Sequence, residues 1–90
     1  MKLSCQVFKS SRRAGMYLYV DRARGLRDVP ESLMARFGAA EPVMTLLLTP
    51  QRKLARVQAA DVLAGIAAKG YYLQLPPADW DVAREGATDE

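Results

Sequence analysis

The sequence predicts an α+β domain in which a small mixed sheet of three or four strands is flanked by helices. Three observations predict it. Leu3, Cys5 and Val7 alternate with Ser4 and Gln6 at the period of a half-buried strand, and Ala59, Val62, Leu63 and Ile66 recur at helical spacing. Glycine or proline closes the apolar segments at Gly38, Pro50, Gly70 and Pro76-Pro77, and Gly15 ends the polar loop before the second strand. The order along the chain is strand, strand, helix, strand, helix, strand, then a short C-terminal helix.

The first strand is read over residues 2–8. Ser10 to Gly15 is small, polar and basic, and Tyr17 to Val20 are all strong strand formers, so the two runs form a hairpin with a basic loop. Asp28 and Glu31 stand three apart around Pro30, the spacing of a capping box, and predict a short helix carrying Leu33, Met34 and Phe37 on one face. Gly38 stops it. Val43 to Leu48 is apolar on both alternations, which predicts a strand covered on both faces near the sheet centre. After a basic connector at 51–56, the second helix runs to Lys69-Gly70, with Gly65 allowing close packing. The connection from the third strand to the fourth contains this helix and is long enough for a parallel, right-handed crossover. Tyr71 to Leu75 is the last strand, ended by two prolines that donate no N–H. Residues 78–84 are read as a final helix anchored by Trp80.

Ninety residues make one domain, and a composition of 50% hydrophobic and 26% charged residues places it among ordinary globular chains rather than disordered ones. The domain is expected over 1–78, with an acidic tail over 79–90. No apolar run approaches the ~20 residues a membrane helix needs, and the N-terminal MKLSCQVFKSSRR is too polar for a secretory segment. The expected compartment is the cytoplasm, with no membrane contact.

Histidine is absent and Cys5 is the only cysteine. That composition removes His-based triads, His-containing zinc sites and Cys-only metal sites. Cys5 shares a face with Leu3 and Val7 and reads as a small buried hydrophobe. No enzymatic activity, cofactor or metal is expected. Charge is uneven: residues 1–69 hold twelve Lys or Arg and five acids, a net of +7, whereas residues 70–90 hold one Arg and five acids, a net of −4. Such a body can attract an anionic partner, or its own tail can screen it.

Several segments together resemble the YcgL family of small gammaproteobacterial proteins. They are Cys5 to Arg13 running into Tyr17 to Val20, Val29 to Leu33 through Phe37-Gly38, Arg52 to Ala55, and GYYLQLPP at Gly70 to Pro77. The resemblance covers roughly residues 4–77 and implies an α/β/α sandwich with a small central sheet. It implies no catalytic or binding residues. Where relatives tend to cap the second helix with Asp, this chain has Gln58, so that helix is expected to start at Ala59.

Two surfaces are candidates for function. The first is the GYYLQLPP strand end, with Tyr72, Gln74, Pro76 and Pro77, which suits an unknown protein partner. The second is the basic loop with Lys9, Arg12 and Arg13 beside Tyr17 and Tyr19, which suits RNA or single-stranded nucleic acid, the arginines holding phosphates and the tyrosines stacking bases. Arg22, Arg24 and Arg27 extend that patch. The first reading, a non-enzymatic protein-interaction module, is the leading expectation. RNA binding is the alternative, because hairpin loops are commonly basic and solvated and strand tyrosines commonly pack in a core.

Overall fold

Strand β1, Leu3–Ser10, pairs antiparallel with β2, Tyr17–Asp21, in the register Cys5 to Asp21 and Lys9 to Tyr17. The computed structural model describes residues 2–54 and 57–76. The expected C-terminal helix, the acidic tail, Pro77 and Trp80 lie outside these residues. Helix α1 spans Glu31–Phe37, β3 spans Ala40–Leu48, α2 spans Ala59–Lys69 and β4 spans Tyr71–Gln74. The element order is the one read from the sequence. No helix among the described residues is long and apolar enough to cross a membrane.

The strands lie side by side as β3-β1-β2-β4, and every neighbouring pair is antiparallel. The mixed sheet and parallel crossover expected from the sequence are therefore corrected. The chain leaves β3 on one edge, passes through α2 and joins β2 on the far edge, so β4 never lies beside β3. The class remains α+β.

Alternation along the hairpin feeds two separate cores. Cys5, Val7 and Tyr19 join Leu48 and the α2 residues Ala59, Val62, Leu63 and Ile66. Leu18 and Val20 join Met16, Val29 and Phe37 of α1. Successive side chains of a strand point to opposite faces, so adjacent residues of β2 enter different clusters. Gly65 lets α2 approach the sheet, since a Cβ there would stand 3.0 Å from Tyr72 Cδ1 and 3.3 Å from the Tyr71 carbonyl oxygen.

Strand β3 is the second correction. It occupies an edge, not the centre, and Val43, Met44 and Leu47 are 44%, 51% and 51% exposed. A run apolar on both alternations shows that no polar face was specified, but it does not count the strand's neighbours. Tyr17 to Val20 carries the same pattern and takes the interior place, with Leu18, Tyr19 and Val20 all buried. The register of β3 also slips between Val7 and Phe8, which pair with Met44 and Pro42 and leave Val43 as the extra residue.

The start of α1 is the third. Pro30 occupies the N-cap position without a side-chain cap hydrogen bond. Asp28 instead accepts two hydrogen bonds from Arg24, at 2.6 and 3.0 Å, and this bidentate pair competes successfully with the capping box. The other helix limits follow the sequence: α2 begins at Ala59 after an uncapping Gln58, and the Gly38 and Gly70 N–H groups close the helices on the Met34 and Ile66 carbonyls. Gly38 has φ 81° and ψ −154°, a region that side chains strain to enter.

Phe37 is fully buried and is the anchor of the short α1. Phe37→Ala is expected to lower unfolding stability by about 3–5 kcal/mol, measured by urea denaturation.

Candidate functional site

The loop between β1 and β2 is tied down by its own hydroxyls. Ser10 is buried; its Oγ accepts hydrogen bonds from the Arg12 and Arg13 backbone N–H groups, each at 3.0 Å, and donates to the Phe37 carbonyl. Ser11 Oγ accepts from the Ala39 N–H at 2.8 Å. Arg12 Nη1 donates to the Ala35 carbonyl at 2.9 Å, which places a cation against the last turn of α1, where helix carbonyls lack partners. The loop therefore caps a helix C-terminus. Lys9 pairs with Glu41 at 3.7 Å and Arg24 with Asp28, so these predicted cations already face carboxylates. The Arg24 pair lowers the Asp28 pKa, chiefly through the hydrogen bond and then through charge.

Lys9, Arg12 and Tyr17 do come together, bordering a polar hollow of about 400 Å³ with Glu41. Tyr17 also lines a neighbouring apolar groove of about 290 Å³ with Val7, Tyr19, Met44, Leu46, Leu54 and Gln74. The tyrosines are not arranged as a stacking platform. Tyr19 is only 8% exposed, its hydroxyl donates to Gln74 Oε1 at 2.8 Å, and its ring meets Tyr72 edge-on with centroids 6.1 Å apart. Burial raises the Tyr19 pKa.

Gln74 is 7% exposed and spends its carbonyl oxygen on Tyr19, and Pro76 is buried, so these two expected surface residues lie inside. Tyr72 is half-buried and packs against the α2 core. Leu75, 51% exposed, is the apolar residue that this strand end does present. Pro77 lies outside the described residues.

What the sequence reading missed is the outer side of β3. The apolar pattern predicts an interior strand for Val43, Met44 and Leu47, whereas in the structure these side chains are exposed along β3, the longest strand of the sheet. Their apolar run was legible; the edge position was not. Among the described residues, no three His, Cys, Asp or Glu side chains are grouped to hold a metal ion.

Cys5 is fully buried. Burial pushes its thiol from 9.0 up to about 11; a backbone hydrogen bond from Val20 offsets part of this and the Asp21 charge adds to it. Native Cys5 is thus expected to react with thiol reagents far more slowly than in denaturant at neutral pH, read by absorbance. The thiol stays protonated in the fold but ionises near 9.0 when unfolded. Its stabilisation is complete below pH 9 and is lost as pH rises toward 11, a fall that Cys5→Ala should lessen.

These features define a small α+β domain whose basic loop serves largely internal support and whose apolar edge strand β3, among the described residues, pairs on one side only. The chain belongs to the YcgL domain family, whose model matches residues 5–77. It is 61% identical over 74 residues to a YcgL domain-containing protein of Chromohalobacter salexigens, covering 82% of this chain and 77% of the relative. A YcgL domain-containing protein of Stutzerimonas stutzeri is 54% identical over 79 residues, 88% of this chain and 81% of the relative. One from Cellvibrio japonicus is 47% identical over the same shares.

Proposed function

We propose that the domain, a three-layer sandwich of helix, sheet and helix, is a non-enzymatic cytoplasmic module that binds an extended segment of a protein partner along β3. One observation carries this reading: an edge strand of nine residues with three large apolar side chains exposed. Soluble domains guard their sheet edges with short strands, charges, prolines or bulges, because unpaired N–H and C=O groups recruit other strands.

The two edges of this sheet differ in that respect. Strand β4 has four residues and is soon followed by prolines. Strand β3 has Glu41, Pro42 and the bulge at its start, while Met44 to Thr49 carries no charge and no proline. A partner strand added there would gain backbone hydrogen bonds from the edge and side-chain contacts from Leu47 and Val43. The site moves from the GYYLQLPP strand end to the opposite edge because Gln74 and Pro76 are buried.

RNA binding through Lys9, Arg12 and Arg13 has weaker support, since Lys9 faces Glu41 and Arg12 caps α1. The test captures partners from the parent cell with the wild type and with Leu47→Asp, whose side chain is exposed. A stoichiometric protein retained by the wild type and lost with Leu47→Asp is the expected result. Absence of such a protein, or its indifference to Leu47→Asp, contradicts the proposal. Single-stranded RNA binding that weakens with salt and again in the Arg12/Arg13 to Ala variant would replace it.

A further inference from the structure

The apolar groove beside Tyr17 is lined from all four strands and by Leu54, and among the described residues none of α2 reaches it. It is the part of that sheet face the helix leaves uncovered. Gln74 stands opposite Tyr17 in the register, is 7% exposed and lines the groove, yet its amide is only half used. Oε1 accepts from the Tyr19 hydroxyl at 2.8 Å, whereas Nε2 has no hydrogen-bond partner among the described residues. We propose that the groove binds a small neutral carbonyl compound with an apolar body, whose oxygen accepts a hydrogen bond from Gln74 Nε2.

The donor set selects the polar end of the ligand. A side-chain amide nitrogen carries two N–H groups, and a donor in apolar surroundings costs free energy until an acceptor meets it. A carbonyl oxygen is such an acceptor. Tyr19 is the positioning residue: its hydroxyl fixes Oε1, so the remaining nitrogen is presented to the groove that Gln74 lines. The rest of the wall selects the apolar end, with Val7, Val43, Met44, Leu46 and Leu54 as aliphatic surface and the two tyrosines offering rings to an aromatic or aliphatic body.

Charge and size narrow the class further. None of the lining residues is charged, and the cations of the adjoining hollow, Lys9 and Arg12, are held by Glu41 and the Ala35 carbonyl. A carboxylate entering the groove would lose its hydration without gaining a counter-ion. The ligand is therefore neutral. A volume of about 290 Å³ has room for roughly ten groups the size of a water molecule, at ~30 Å³ each, and falls just under the ~300–1,000 Å³ usual for drug-sized molecules. The site uses side chains on the α2 side of β3 and not its outer backbone, so it does not depend on a partner strand binding there.

Titration of the isolated full chain with acetophenone, followed by amide NMR, tests the assignment. Saturable shifts are expected at Val7, Tyr17, Met44, Leu54 and the Gln74 side-chain amide, with a Kd of about 1 mM or tighter. Ethylbenzene, which keeps the shape and lacks the oxygen, should bind about fivefold more weakly, and benzoate more weakly still. Gln74→Met removes Nε2 and should bring acetophenone to the level of ethylbenzene while ethylbenzene itself is unchanged. Should that variant fail to fold, Tyr19→Phe/Gln74→Met, which leaves neither polar group alone, takes its place. Absence of saturable shifts around the groove overturns the proposal, as does equal affinity for acetophenone and ethylbenzene in the wild type. Tighter binding of benzoate, or a preference for acetophenone that survives the loss of Gln74, overturns it equally.

Discussion

The pairing of β1 with β2 is the interaction on which the rest of the molecule depends. One hairpin supplies Cys5, Val7 and Tyr19 to one core and Leu18 and Val20 to the other. Each face then needs a helix to exclude water, and each helix is held where the hairpin's side chains stand. A chain of this length can bury only about 60–65% of its unfolded surface, so it has little apolar area to spare for covering every strand. Among the described residues, strand β3 has a strand neighbour on one side only.

The same hairpin explains the fate of the basic loop. A seven-residue helix has few internal hydrogen bonds, and the last carbonyls of α1 need partners from elsewhere. Ser10 and Arg12 supply them. Residues whose chemistry reads as phosphate recognition in the sequence are thus turned to the support of a neighbouring helix. Charge in a loop states what the loop can hold, not what it is holding.

Much of the fold was legible in the sequence because it depends on local geometry. The Leu3, Cys5 and Val7 alternation, the helical spacing from Ala59 to Ile66, and the stops at Gly38 and Gly70 all express preferences of a few adjacent residues. What failed depended on distant ones. Met44 to Leu48 and Tyr17 to Val20 share one pattern, and only long-range pairing decides which run is interior. Asp28 is the exception: both of its possible partners, the α1 backbone and Arg24 four residues earlier, are local, and the two-bond pair with Arg24 is the one formed. The candidate site was less legible: Tyr19 and Gln74, 55 residues apart, hydrogen-bond each other inside, and neither local sequence announces it.

The account's central claim is that β3 is an open, apolar edge. Amide hydrogen exchange of the isolated protein tests it most directly. Leu47 turns its carbonyl away from β1, toward Arg52, and the N–H of an antiparallel residue points the same way as its carbonyl. Leu46 and Leu48 should therefore be protected nearly as well as the hairpin amides, while Thr45 and Leu47 exchange orders of magnitude faster. Equal, strong protection at all four positions in the monomer would show that β3 is already paired on both sides, and would contradict the account.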